Sequence, residues 1–288
     1  IFKFLGDTYQ ETKILVKQAE SEITAIQMVM GSMAMGTRAF TATSGGGFDL
    51  MQETISCAGM AETPLVIVLA QRIGPGTGVP TWTGSGDIHT AVNAGHGEFP
   101  KAVLFASDIP SAYRLIQESF NIAERYQLPA ILLTEKHLSE SLFSIQELPK
   151  DQEIVQNFNQ TDVRYKVTES GISPRWKPDF EAQPYLCNSD EHNEIGESTE
   201  RSEEISKMSS KRMKKLDELY SELPEPTLYG DLSANTILVG SGSVKNTILD
   251  AIQEGKNIAY LHYEYIFPLK KDLLLNLVST GKRLILVE

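Results

Sequence analysis

Two stretches of the sequence carry residues whose types and spacing could do chemistry. The first is Thr43-Ser44-Gly45-Gly46-Gly47, after a short strand-like run and before a helical pattern. Three glycines at a helix start let another molecule approach the backbone closely and leave unpaired N–H groups facing outward. The same glycines also suit an ordinary packed βα turn. The second stretch, Gln71 to Thr81, is a Gly/Pro/Thr loop carrying Arg72. It leaves the most continuous β-branched run of the chain. Open α/β sheets bind ligands at the carboxyl ends of their strands. One guanidinium there can clamp a carboxylate through two parallel hydrogen bonds. A loop salt bridge is the plainer use of the same arginine.

Other motifs carry less. Gly240-Ser241-Gly242-Ser243-Val244-Lys245 follows a strand and opens a helix. It lacks the third glycine of a dinucleotide fingerprint and a well-placed acid for a ribose, so it reads as a tight βα turn. Ala42-Thr43-Ser44-Gly45-Gly46 has the outline of a nucleophile elbow with Ala in the first glycine position. A hydrolase would also need a histidine, and no partner spacing singles out His137. Cys57 and Cys187 cannot make a CxxC pair, a zinc cage or an iron–sulfur ligand set. No metal site is expected on this chain.

These candidates need an α/β frame to hold them. Ile23, Ile26, Val29, Met30 and Met33 recur at helical spacing, and Ala39–Thr43 reads as a small strand. Leu50–Met60 reads as a helix, and Pro64–Ala70 as a strand buried on both faces. Arg72–Asp87 is too long for a mere connector. Ala102–Ala106 is a strand, Ser111–Tyr126 a helix and Pro129–Thr134 a strand. The alternation predicts a mostly parallel sheet. It lapses near residue 145, where Asp179–Pro226 holds 13 Asp/Glu against 6 Lys/Arg. That stretch reads as a polar hairpin-like part and one amphipathic helix with Ile205, Met208, Met213, Leu216 and Leu223, its charges on solvated faces. Alternation resumes with strands at Thr236–Gly240, Ile258–His262 and Leu284–Val287, and helices at Val244–Gln253 and Leu269–Val278. The expected units are 1–145, an acidic connecting segment 146–230, and a smaller α/β unit 231–288.

The 288 residues carry a net charge of −12 and no basic stripe. Nucleic acid and anionic membrane are poor partners for such a surface. No apolar run is long enough for a membrane span, and two cysteines imply no disulfide framework, so cytoplasm is the expected compartment. Ile1–Leu5 reads as the interior of a helix and Arg283–Glu288 as a strand with nothing after it. The chain is therefore expected to be part of a longer protein.

Several segments together resemble the alpha subunit of 2-oxoacid:ferredoxin oxidoreductases, nearest the 2-oxoglutarate type. They are Gln18–Ile26, Phe40–Phe48, Ala61–Leu65, Gln71–Thr81, Gly84-Ser85-Gly86-Asp87 and Gly95–Pro100. Gly171–Arg175, Asp190–Glu194 and Leu223–Gly230 extend the resemblance over nearly the whole chain, in order. The chain departs from the family in having Gly46 where proline is common, and in an abrupt Asp179–Gln183. The family's Tyr-Pro-(Ile/Met)-Thr-Pro turn is also absent before Ile1.

The resemblance implies a thiamine diphosphate pyrimidine-type domain followed by a smaller, transketolase C-terminal-like α/β domain. It implies oxidative decarboxylation of a 2-oxoacid with CoA to acyl-CoA and carbon dioxide, with ferredoxin reduced. In such enzymes one carboxylate holds the aminopyrimidine nitrogen of the cofactor, and it must be buried to share that proton. The motif puts it at Glu22, with Glu20 as the competitor. Arg72 becomes the clamp for the 2-oxoacid carboxylate. Gly45–Gly47 lies near the cofactor ring, with Thr43 and Ser44 as polar contacts. The magnesium and diphosphate segment Gly-Asp-Gly…Asn and the cysteines of a [4Fe-4S] cluster are missing here, which implies a beta subunit that carries them. A gamma subunit is a further implied partner. Pyruvate or branched-chain 2-oxoacids are the alternative substrates, and a non-catalytic α/β binding subunit is the rival of another class.

Overall fold

Strands Leu65–Gln71 and Pro129–Glu135 lie side by side, and Leu65–Leu69 and Pro129–Leu133 are buried throughout. Such continuous apolar runs form strands covered on both faces. In this computed structural model, residues 2–159, 161–177, 184–254 and 257–288 are described. The first half runs α1 (Phe2–Asp7), α2 (Tyr9–Thr12), α3 (Glu22–Ala34), β1 (Thr41–Thr43), α4 (Gly45–Asp49), α5 (Gln52–Met60) and β2 (Leu65–Gln71). It continues with α6 (Ile88–Val92), β3 (Ala102–Phe105), α7 (Ile109–Tyr126), β4 (Pro129–Glu135) and α8 (Lys136–Glu140). Later come α9 (Ser202–Glu222), β5 (Thr227–Tyr229), β6 (Thr236–Ser241), α10 (Val244–Glu254), β7 (Ile258–Tyr263), β8 (Tyr265–Phe267), α11 (Asp272–Ser279) and β9 (Arg283–Leu286).

The first sheet has the order β1-β2-β4-β3-β8, parallel except for β8. The second has the order β5-β7-β6-β9, parallel except for β5. The α/β class with mostly parallel sheets is as the alternation predicts. Two short antiparallel strands, β5 and β8, add to it. The expected helix at Leu269 begins at Asp272, after Pro268. The glycine turn is itself the first turn of α4, and α5 starts at Gln52 rather than Leu50. Ile1 and Asp179–Gln183 lie outside the described residues.

Local signals explain the helices that frame the site. Ser21 is extended and its Oγ accepts the Thr24 N–H at 3.3 Å, so α3 starts at Glu22. Ile26, Val29 and Met33 then point inward at helical spacing. Asp108 and Ser111 make a reciprocal cap for α7, with Pro110 in its first turn.

The charged stretch differs from its expected solvated face. On α9, Lys211, Arg212 and Lys215 are buried, and Lys211 and Lys215 both pair with the buried carboxylate of Glu62. Arg164 reaches the Glu62 carbonyl at 2.9 Å. The lysines are four apart, so one helix face turns both into the same pocket. Among the described residues no helix is long and apolar enough to cross a membrane.

Candidate active site

The site candidates gather at the carboxyl ends of β1 and β2, the two neighbouring parallel strands. β1 delivers Thr43 and passes directly into the Ser44–Gly47 turn. Glu22, at the first position of α3, is half-buried beside this turn. A Cβ on Gly47 would lie 2.1 Å from Thr43 Oγ1, 2.7 Å from Glu22 Cγ and 2.8 Å from Glu22 Oε1. Only a residue without a side chain permits that approach. Glu22 and Thr43 thus meet across Gly47. Glu20, its competitor, is exposed.

β2 delivers Arg72, one residue past its end. The Arg72 N–H donates to Asp87 Oδ2 at 3.3 Å, and the Asp87 N–H donates to Gln71 Oε1 at 3.3 Å. These bonds close the base of the long loop. Farther along, Ile73 and Val79 form an antiparallel bridge, while Trp82 is left 69% exposed. Thr83 is anchored on both sides: its Oγ1 accepts the His137 N–H at 3.3 Å and donates to Glu135 Oε2 at 3.5 Å.

The Arg72 side chain does not take the plainer role. Among the described residues it makes no ion pair, and its Nε is buried without a hydrogen-bond partner. A buried donor left unpaired costs about 1–3 kcal/mol, which a bound anion would relieve. Asp87 joins the two halves of the site. Its Oδ1 lies 2.8 Å from where a Cβ on Gly45 would stand. Burial pushes its carboxyl above the ordinary aspartate value, against the Arg72 N–H.

Ser44 precedes α4 without its side chain capping that helix. Among the described residues no hydrogen bond links it to the His137 ring, which packs edge-on against Phe143. No group of three or more His, Cys, Asp or Glu suited to a metal ion occurs among the described residues. Asp87 and Gln71 were not singled out as site residues from sequence. The one available signal was the Gly84-Ser85-Gly86 run ahead of Asp87, because Gly86 lets the chain pass the Arg72 carbonyl.

A family profile described as "Pyruvate flavodoxin/ferredoxin oxidoreductase, thiamine diP-bdg" matches residues 1–212. The chain belongs to this family. Among relatives of this oxidoreductase-family chain is "2-oxoacid:ferredoxin oxidoreductase 1, subunit alpha" from Sulfurisphaera tokodaii. It is 39% identical over 295 aligned residues, covering 98% of this chain and 47% of the relative. "2-oxoglutarate synthase subunit KorA" of Archaeoglobus fulgidus is 41% identical over 128 residues, 43% of this chain and 37% of the relative. A solved structure, "2-oxoglutarate:ferredoxin oxidoreductase from Magnetococcus marinus with 2-oxoglutarate, coenzyme A and succinyl-CoA bound", superposes with a TM-score of 0.91. It is 29% identical and covers 99% of this chain and 51% of that chain. This oxidoreductase-family chain thus spans about half the length of the relatives it matches along its whole extent.

Proposed function

We propose that this chain forms the pyrimidine side of a thiamine diphosphate site in a 2-oxoacid:ferredoxin oxidoreductase, as part of its alpha subunit. The reaction is CoA-dependent oxidative decarboxylation of a 2-oxoacid, with 2-oxoglutarate favoured by the named relatives, and with ferredoxin as electron acceptor. The carrying observation is the convergence of Glu22 and Thr43 on Gly47, with Arg72 joined to the same turn through Asp87.

The residues present fit the cofactor. Gly46 is the open face of the turn, with nothing within 4 Å of where its Cβ would stand, and Glu22 and Thr43 stand against Gly47 beside it. Bound there, thiamine diphosphate supplies the carbanion chemistry. Glu22 holds a proton at the aminopyrimidine nitrogen through one carboxylate oxygen. Thr43, Ser44 and Gly45 would face the ring. Arg72 takes the substrate carboxylate with its unpartnered guanidinium edge, in the planar geometry that suits two oxygens.

Diphosphate, magnesium and the [4Fe-4S] cluster belong on a beta subunit: the sequence holds no Gly-Asp-Gly…Asn segment and only two separated cysteines, and no metal-sized group of His, Cys, Asp or Glu occurs among the described residues. Glu22 is half-buried in the single chain, and the neighbouring α3 surface exposes Ile23 (50%) and Met28 (40%). A partner covering that face would complete the burial a proton-sharing carboxylate needs. We read 1–145, 146–230 and 231–288 as cofactor domain, connecting segment and C-terminal α/β domain, working in the cytoplasm.

The test is calorimetry with thiamine diphosphate and magnesium. The alpha subunit alone should bind no cofactor tightly, and adding the beta subunit should restore both binding and 2-oxoacid oxidation. Tight binding or 2-oxoacid-dependent dye reduction by the alpha subunit alone would defeat the proposal.

A further inference from the structure

Asp87 belongs neither to the cofactor turn nor to the substrate clamp, yet it touches both. Three separate stretches meet at its side chain and its own N–H: Gly45, Gln71-Arg72 and Asp87 itself. It occupies the position before α6, where an aspartate ordinarily caps the first helical turn. Here it makes no cap bond. Its carboxylate instead takes the Arg72 N–H at 3.3 Å with Oδ2 and rests Oδ1 on the bare face of Gly45. Among the described residues it forms no ion pair with a cation, although burial disfavours its charge. An uncapped helix and a half-buried carboxylate are both tolerated at one residue. What that residue gains is a fixed relation between the loop and the turn.

We infer that Asp87 is a positioning residue that sets the Arg72 loop against the Gly45 turn, and so fixes the spacing between substrate carboxylate and cofactor ring. The inference rests on the roles proposed above for Arg72 and the turn. Its effect runs through geometry: a clamp displaced by about 1 Å loses near-attack alignment and can cost about 100-fold. Asp87 transfers no proton. Asparagine, whose amide oxygen can accept the same Arg72 N–H, should therefore replace it.

The contact with Gly45 makes the test specific. The three nearest atoms that a methyl group on Gly45 would meet all belong to Asp87, the closest 2.8 Å away. Gly45→Ala should push the carboxylate off the Arg72 N–H and so reproduce the loss of Asp87. In the assembled enzyme, Asp87→Ala and Gly45→Ala should each lower kcat/KM for the 2-oxoacid by about 10- to 100-fold, with KM raised. Combined, they should do no worse than Asp87→Ala alone. Asp87→Asn should stay within about threefold of the parent. Calorimetric affinity for thiamine diphosphate should change by less than about threefold in Asp87→Ala.

Equal impairment of Asp87→Asn and Asp87→Ala would overturn the inference and point to proton transfer. Effects of Gly45→Ala and Asp87→Ala that simply multiply would overturn it too. If Asp87→Ala fails to assemble, Gly45→Ala with an unchanged KM is the contrary result. Arg72→Ala separates the layers: an unchanged KM there refutes the substrate clamp itself rather than the role of Asp87.

Discussion

Glu135 Oε1 accepts the Ser243 N–H at 2.7 Å, tying the last residue of β4 to the turn that opens α10. The same carboxylate receives the Thr83 hydroxyl at 3.5 Å through Oε2. One buried side chain therefore fastens the second sheet and the Arg72 loop to the end of the first sheet. Asp108 and Lys245 add an ion pair at 2.7 Å beside it.

Glu135→Ala should therefore cost stability beyond a lost packing contact. Hydrogen bonds to a charged group are each worth about 1.5–3 kcal/mol, and the Ser243 N–H would be left unmet. Denaturant unfolding should give a loss of about 2–3 kcal/mol. Thr83→Val, which removes the 3.5 Å bond to Glu135 and the 3.3 Å bond from the His137 N–H but leaves Ser243 paired, should cost less than Glu135→Ala.

Glu22→Gln in the assembled enzyme should lower 2-oxoacid turnover by at least about 100-fold, the usual share of general acid–base catalysis. Glu20→Gln, at an exposed residue outside the cluster, should be near normal. The reverse pattern would move the role to Glu20.

Arg72→Lys keeps the charge and loses the planar fork. KM for the 2-oxoacid should rise, while calorimetric affinity for thiamine diphosphate should hold. An unchanged kcat/KM would make Arg72 a loop residue only.

The α9 pocket predicts a pH dependence. Burial pushes Lys215 down to about 7, while Glu62 pulls the other way; Lys211 and Arg164 share the pocket and add to the depression. Lys211, Lys215 and Arg164 hold Glu62 well below the usual carboxylate range despite its burial. An unfolded lysine titrates near 10.4. Between about pH 7 and 10 the unfolded chain thus binds the extra proton, and unfolding free energy should rise with pH. Lys215→Met should flatten that rise. Glu62→Gln removes the counter-charge of Lys211 and Lys215, so it should destabilise the fold near pH 7 and less so near pH 9.

Much of the frame was legible because its strands are buried on both faces, as Leu65–Leu69 and Pro129–Leu133 are. β5 and β8, three residues each, are too short to carry an alternation. Lys211 and Lys215 were misread because charge counts do not reveal an acid at Glu62, far back in the chain. In the site, the glycine turn and Arg72 could be picked out from chemistry alone. Glu22 could not: a glutamate in the first turn of a helix is ordinary for dipole reasons, and only the family resemblance marked it. Asp87 is harder to read, because the group it binds is a backbone N–H and the Gly84-Ser85-Gly86 run ahead of it is the one sign in residue types.

The pairing of β8 with β3 has a consequence for how the protein is made. The outer edge of β3 is complete only when Tyr265–Phe267 arrives, about 160 residues after Phe105. On the ribosome, at about 5–20 residues per second, that is roughly 8–30 seconds. Through that interval a buried, wholly apolar strand shows an open hydrogen-bonding edge to its surroundings, the pattern that invites wrong pairing. Nascent chains of this protein should therefore depend on chaperones until translation has passed Phe267, and stalling before that point should yield aggregates rather than a soluble N-terminal half.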